Sequence, residues 1–240
     1  MKLELTDQEF RYLLDLVYIG NWVINSTREN DRIQEYDQVE SLVFSHCLGR
    51  GMEKLTELYE VCKKCSLPLF IDGARLGYGL TCDDCDLTLP EVARLCDIFY
   101  IGGNKVGALF GEAVVFTKHN TPKHFLTLIK QHGALLAKGF VLGAQFDALF
   151  TDNLYFKIAR NANEAADRIR KALRAKGYML TFEAPTNQIF VTMDQPTIDR
   201  LEREVKLGFT EKADDTHTVM RICTSWATTP EEVDQLIELL

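Results

Sequence analysis

Leu67-Pro68-Leu69-Phe70-Ile71-Asp72-Gly73-Ala74-Arg75 and Ile98-Phe99-Tyr100-Ile101-Gly102-Gly103-Asn104-Lys105 share one pattern: a short apolar run, then a glycine-containing turn that carries charge. Each run has the length and the aromatic and β-branched content of a buried strand. Between them, Thr88 reads as an N-cap and Pro90 as a first-turn residue, opening a helix from about Pro90 to Cys96. Strand, crossover helix and strand make a parallel βαβ unit with a right-handed connection. Asp72 and Lys105 then leave the same carboxyl edge of one sheet. That is the edge at which open α/β folds bind ligands.

The surrounding chain narrows the classes. Its 240 residues suffice for one large domain or two small ones. With 46% hydrophobic and 26% charged residues it is an ordinary globular composition, which sets aside disordered and fibrous classes. The formal charge of −8, with no stretch that gathers Lys and Arg, speaks against a nucleic-acid partner. No apolar run approaches the length of a membrane span, and Met1-Lys2-Leu3-Glu4-Leu5 has neither the apolar core nor the cleavage site of a signal peptide. Seven cysteines, an odd number, fit free thiols in a reducing compartment. A soluble cytoplasmic protein is expected.

Three segments follow from the patterning. Residues 1–47 read as a helical hairpin of unassigned role. Phe10, Leu13, Leu14, Val17, Trp22 and Val23 recur at helical spacing after Thr6 and Asp7, and Ile33, Tyr36, Val39, Leu42 and Val43 recur after a polar turn at 28–32. Residues 48–155 read as a partial large domain with a parallel-sheet core. It has a helix near Glu53 to Cys65, the two strands above, and a further strand over Glu112 to Phe116. A helix-rich stretch from Pro122 to about Lys176 follows, interrupted near Gly133 and Gly139. Residues 156–240 read as a small α+β domain, with strands over Tyr178–Phe182, Gln188–Met193 and Val219–Thr224, a helix from Thr197 to Val205, and a terminal helix from Pro230.

The chemistry these residues suit is that of pyridoxal phosphate. That cofactor needs a lysine amine for a Schiff base and for moving protons at a substrate's α-carbon. It needs a carboxylate opposite the pyridine nitrogen to keep that nitrogen protonated. Arginine best matches the planar carboxylate of an amino acid. Lys105, Asp72 and either Arg75 or Arg221 fill these roles, and Gly102, Gly103 and Gly107 let backbone approach closely. Singly, each is weak; a lysine after a strand is usually just solvated. Together they are specific.

Phe70-Ile71-Asp72-Gly73-Ala74-Arg75 resembles the DGAR segment of threonine aldolases and the related β-eliminating lyases. Asp97 to Phe116, with Gly102-Gly103-Asn104-Lys105-Val106-Gly107-Ala108-Leu109-Phe110-Gly111-Glu112, is similar to the segment that carries their cofactor lysine. Gln131-His132-Gly133-Ala134 through Ala137-Lys138-Gly139 to Gln145-Phe146, and Arg221-Ile222-Cys223-Thr224-Ser225-Trp226, fit the same family. The resemblance runs from about residue 51 to 240.

It implies an α/β, aspartate aminotransferase-like fold for pyridoxal-phosphate-dependent enzymes, with the large domain truncated and a small C-terminal α+β domain. It implies an amino acid as small-molecule substrate, cleaved by a threonine-aldolase-like step or by β-elimination, and a homodimer or homotetramer. Lys105 would hold the cofactor, Asp72 its ring nitrogen, and Arg75 and Arg221 the substrate carboxylate. Asn104 would lie beside the cofactor, where such proteins usually have Ser or Thr. Residues 1–47 depart from the pattern, for they carry neither the Gly/Thr-rich phosphate cradle nor the ring-stacking histidine with which the family begins. The alternative reading is therefore an impaired homologue acting as an interaction or structural protein.

Rival motifs are weaker. Cys62-Lys63-Lys64-Cys65 and Cys82-Asp83-Asp84-Cys85 match a structural zinc spacing. The intervening residues form a core strand and the Asp72 turn rather than a zinc-ribbon hairpin, so incidental thiols and no metal are expected. Gly49-Arg50-Gly51 before a helix lacks the Lys-Ser/Thr pair of a phosphate loop. His119, His124, His132 and His217 have no metal-ligand spacing; only His132 falls in a family motif. Trp22 and Trp226 read as packing residues.

Overall fold

A computed structural model of the chain describes residues 51–240 and, ahead of them, Thr6, Glu9, Leu13, Leu16, Val17, Gly20, Ile24, Ile33 and Tyr36. The chain divides into two compact units, Met1–Arg50 and Gly51–Leu240. In the first, Glu9, Leu13, Leu16, Val17, Gly20 and Ile24 are helical. Thr6 N–H donates to Glu9 Oε2 at 2.9 Å, and Glu9 N–H donates back to Thr6 Oγ1 at 3.3 Å, a capping box at the expected start. Tyr36 is helical too. Ile33, expected in the second helix, is described and is not helical; the remaining expected positions, and the turn at 28–32, lie outside the described residues.

The second unit opens with α1 (Gly51–Lys64), whose last turn places Lys63 and Lys64 at the negative end of the helix dipole. β1 (Phe70–Ile71), α2 (Leu76–Leu80), α3 (Leu89–Arg94), β2 (Ile98–Gly102) and β3 (Glu112–Phe116) follow. Thr88 caps α3 through a reciprocal bond with Glu91, and Pro90 sits in its first turn. β1 and β2 are parallel, with Phe70 opposite Ile98 and Ile71 opposite Phe99. β3 runs antiparallel to β2, because the connection over 103–111 is too short for the crossover that a parallel partner requires. The first sheet is thus mixed, in the order β1-β2-β3.

α4 (Phe125–Gln131), α5 (Phe140–Phe150) and a short 3-10 turn (Thr151–Asn153) lead into α6 (Leu154–Ala175). α6 serves two cores. Its first half gives Tyr155, Ala159 and Ala162 to the core under the first sheet, with Tyr78, Val92, Phe99 and Leu149. Its second half gives Ala165, Ala166, Ile169 and Leu173 to a core with Ile189, Val191, Met220 and Val233. The alanines let the helix backbone lie close to its neighbours.

The second sheet is antiparallel throughout. It contains β4 (Met179–Phe182), β5 (Gln188–Asp194), β6 (Gly208–Lys212) and β7 (His217–Cys223) in the order β4-β5-β7-β6. α7 (Gln195–Leu201) and α8 (Pro230–Leu239) complete this part, and Thr229 closes a capping box with Glu232 at the head of α8. Two elements escaped the sequence reading, α2 and β6. The expected helix over 197–205 starts earlier, because Asp194 accepts from Thr197 N–H and so caps it, and it ends at Leu201. No helix among the described residues is long and apolar enough to cross a membrane.

Candidate active site

The site begins where β1 and β2 end. The parallel ladder runs one step past the strand, with Gly102 N–H donating to the Gly73 carbonyl at 2.9 Å. Neither glycine has room for a side chain. A Cβ on Gly73 would lie 1.7 Å from the Tyr100 carbonyl oxygen, and one on Gly102 would lie 2.3 Å from that of Ala74. These close approaches bring the Asp72 turn directly against the end of β2.

Asp72 is exposed and stands level with Tyr100 across the ladder. Its Oδ1 accepts from the Tyr100 hydroxyl and, at 3.0 Å, from Ala74 N–H. These bonds, the Tyr100 one foremost, hold its carboxyl below the usual carboxylate range, and the positive charges of Lys105 and Arg75 act in the same direction. Asp72 is therefore an anion at neutral pH. The Tyr100 hydroxyl is correspondingly pushed up by its bond to Asp72.

Lys105 sits on a turn closed upon Gly103. Val106 N–H and Ala108 N–H both donate to the Gly103 carbonyl, at 2.9 and 3.0 Å. Gly103 N–H donates to Glu112 Oε2 at 2.7 Å, which ties the turn to the start of β3. Gly107 takes φ +96, a conformation that favours glycine. The side chains of Asn104 and Lys105 are exposed. Asp72, Arg75 and Lys105 are thus brought together at one sheet edge.

Arg221 belongs to the other sheet. It lies on β7 opposite Phe190 on β5 and Gly208 on β6. Its Nε is buried without a hydrogen-bond partner, an orphaned cationic donor. It shares a face of β7 with Cys223, whose thiol is close enough to Tyr78 to act on that hydroxyl together with the charge of Arg75. Thr224, just beyond β7, donates from its hydroxyl to the Ala162 carbonyl at 2.6 Å and so fastens this strand to α6.

Four site residues were missed from sequence: Tyr78, Tyr100, Tyr155 and Glu112. Tyr100 was recoverable, because the two runs align with Phe70 opposite Ile98, which sets Tyr100 opposite Asp72. Tyr78 and Tyr155 act across long sequence separations and leave no local signal, and Glu112 acts on Gly103, nine residues back, across a turn.

Of the rival motifs, Cys62 and Cys65 lie at the end of α1 and just beyond it, while Cys82 and Cys85 donate to the Gly79 and Leu87 carbonyls. Among the described residues no group of three or more His, Cys, Asp or Glu is placed to hold a metal ion. His132 closes α4 through its backbone N–H, and His217 Nδ1 pairs with Asp214 at 3.2 Å.

The fold is the aspartate aminotransferase-like one, and the family model for beta-eliminating lyases matches residues 50–196. The chain belongs to that family. It is 28% identical over 156 residues to the low specificity L-threonine aldolase of Pseudomonas sp. (strain NCIMB 10558), covering 63% of this chain and 44% of that protein. A Leishmania major threonine aldolase structure superposes with a TM-score of 0.77 at 38% identity, covering 79% of this chain and 55% of that one. A Sphingomonas wittichii serine palmitoyltransferase, 19% identical, shares the fold with a TM-score of 0.56 over 77% of this chain and 49% of that one. The chain thus spans about half the length of these relatives.

Proposed function

We propose that this chain carries the lysine-bearing part of a pyridoxal-phosphate-dependent lyase acting on amino acids. The observation that carries the reading is the pairing of Lys105 with an anionic Asp72 at the carboxyl ends of adjacent parallel strands. These residues fit the cofactor. A carboxylate with a lowered pKa suits a protonated ring nitrogen, and Gly73 and Gly102 let the backbone of the Asp72 turn pack directly on the end of β2. Lys105 would hold the cofactor covalently, Asp72 its ring nitrogen, and Asn104 would lie beside it. When bound, the group supplies an electron sink for the pair left at the substrate's α-carbon.

The protein's own residues do the remainder. Arg75 and Arg221 bind the amino acid by its carboxylate, and the buried, unpartnered Nε of Arg221 supports a role in accepting an anion. Lys105 would hold the cofactor and, with its amine free, would move the proton at the α-carbon. In the aldol direction the β-hydroxyl proton would pass to solvent water, the Cα–Cβ bond would break to release the aldehyde, and Lys105 would deliver a proton to the α-carbon to leave glycine. In elimination Lys105 would take the α-proton and the β-substituent would leave with its bonding pair.

The same reading has three parts: a 1–47 hairpin, a 48–155 cofactor-binding part and a 156–240 α+β part. It places the protein in the cytoplasm as a homodimer or homotetramer. An interaction protein without catalysis is the second reading. It is supported by Phe70 and Val114, apolar and exposed on the two edge strands of the first sheet.

Incubation with pyridoxal phosphate and a β-hydroxy amino acid tests the function. Aldehyde and glycine are expected from the aldol branch, or a 2-oxo acid and ammonia from elimination. Neither product from folded, cofactor-loaded protein would leave the second reading.

A further inference from the structure

Tyr78 is 1% exposed, yet the chemistry above makes no use of it. A buried phenol needs a partner, and this one donates to the backbone carbonyl of Lys105. The residue is also held from behind. Asn163, buried on α6, donates through Nδ2 to the Tyr78 carbonyl at 2.8 Å and to Thr81 Oγ1 at 3.0 Å.

A second buried tyrosine works beside it. Gly77 N–H donates to the Tyr155 hydroxyl at 3.1 Å, and that hydroxyl donates to the Gly102 carbonyl at 3.0 Å. A Cβ on Gly77 would lie 2.8 Å from the Tyr155 ring, so the contact requires glycine. α2 is therefore tied to the lysine turn at two points, Gly102 through Tyr155 and Lys105 through Tyr78. The far side of the turn meets the segment after β7. A Cβ on Gly107 would come 4.0 Å from Trp226 Cδ2, and the Trp226 carbonyl accepts from Asn161 Nδ2 at 3.4 Å.

We propose that Tyr78 is a positioning residue for Lys105: its hydroxyl fixes the main chain of the 103–107 turn against α2 and thereby sets the lysine amine relative to Asp72 and Arg75. The inference rests on the reading of Lys105 and Asp72 as cofactor residues. A lysine side chain is long and rotatable, so the reach of its amine is governed by how firmly its own backbone is held. Tyr78 lies on α2, the helix that directly continues the Asp72-to-Arg75 turn, so its hydroxyl fixes the lysine's main chain to the element next to its two partners.

Tyr78→Phe keeps the ring and removes the bond. Two readouts apply. In cofactor-free protein, hydrogen exchange over 103–107 should quicken roughly five- to tenfold, the order expected for one lost buried bond, while α8 exchanges as before. In protein given pyridoxal phosphate, the pH midpoint of the visible absorbance of the Lys105 adduct should move by roughly half a pH unit. Unchanged exchange together with an unmoved midpoint would overturn the proposal. If the wild type forms no adduct, the cofactor reading fails, and the exchange experiment still decides whether Tyr78 holds the turn. Should Tyr78→Phe not fold, exchange of the wild type at low denaturant decides. Joint opening of 103–107 with 76–81 is expected, and independent, easier opening of 103–107 would contradict the anchor.

Discussion

At the scale of the residue, the proposed chemistry turns on the charge state of Asp72. Its carboxyl is held low chiefly by the Tyr100 hydroxyl, then by Ala74 N–H. A carboxylate with a depressed pKa stays ionised through neutral pH and loses its charge only as pH falls through that lowered value. Tyr100→Phe removes the largest cause, so the Asp72 pKa should rise toward the ordinary carboxylate value. A carboxyl-carbon NMR titration reads this directly, and any activity that needs ionised Asp72 should show its acid limb displaced upward. An unmoved titration would mean that the Tyr100 bond does not govern Asp72. Asp72 and Lys105 were legible in the sequence because each follows an apolar run with strand character. Tyr78 was not, for its partner lies 27 positions away and no periodicity links the two.

At the scale of the element, the strands that carry the site are short and the glycines beside them are crowded. Gly73→Ala would drive a methyl into the Tyr100 carbonyl, 1.7 Å away, whereas Gly79 in α2 has nothing within 4 Å. Gly73→Ala should destabilise the protein by about 1–3 kcal/mol in urea unfolding. Gly79→Ala should be neutral or stabilise by about 0.4–1 kcal/mol, because it restricts the unfolded chain. Equal effects at the two positions would contradict the packing of the Asp72 turn on β2.

A second element-level test concerns α1. Asp97 accepts from Lys63 Nζ on α1 at 2.6 Å and from Leu69 N–H before β1 at 2.9 Å. The Lys63 bond is the first cause of its lowered pKa. Its contribution is fully present above the ordinary carboxylate pKa and is lost as pH falls through the lowered one. Asp97→Asn should flatten that acid limb of urea midpoint against pH; an identical limb would show that Asp97 is not linked to folding. α3 and α8 were readable from a proline in the first turn, α3 also from Thr88, whereas α6 was legible only as part of a helix-rich stretch from Pro122 to about Lys176. α2 was missed because Leu76-Gly77-Tyr78-Gly79-Leu80 carries two glycines. β6 was missed because Gly208-Phe209-Thr210-Glu211-Lys212, an edge strand, is half polar.

At the scale of the second unit, one long helix joins two sheets, of which the first carries Asp72, Arg75 and Lys105 at one edge and the second carries Arg221 on β7. The division of roles between the sheets was visible in the order of motifs. The shared helix was not, since it depends on α6 carrying alanines into both cores. The central claim is that Lys105 is a cofactor lysine. The most direct measurement is to add pyridoxal phosphate to the full chain, reduce with borohydride and map the modified peptide by mass spectrometry. One reduced adduct is expected, on Lys105, absent from Lys105→Ala. No adduct, or one scattered over surface lysines and retained in Lys105→Ala, would contradict it.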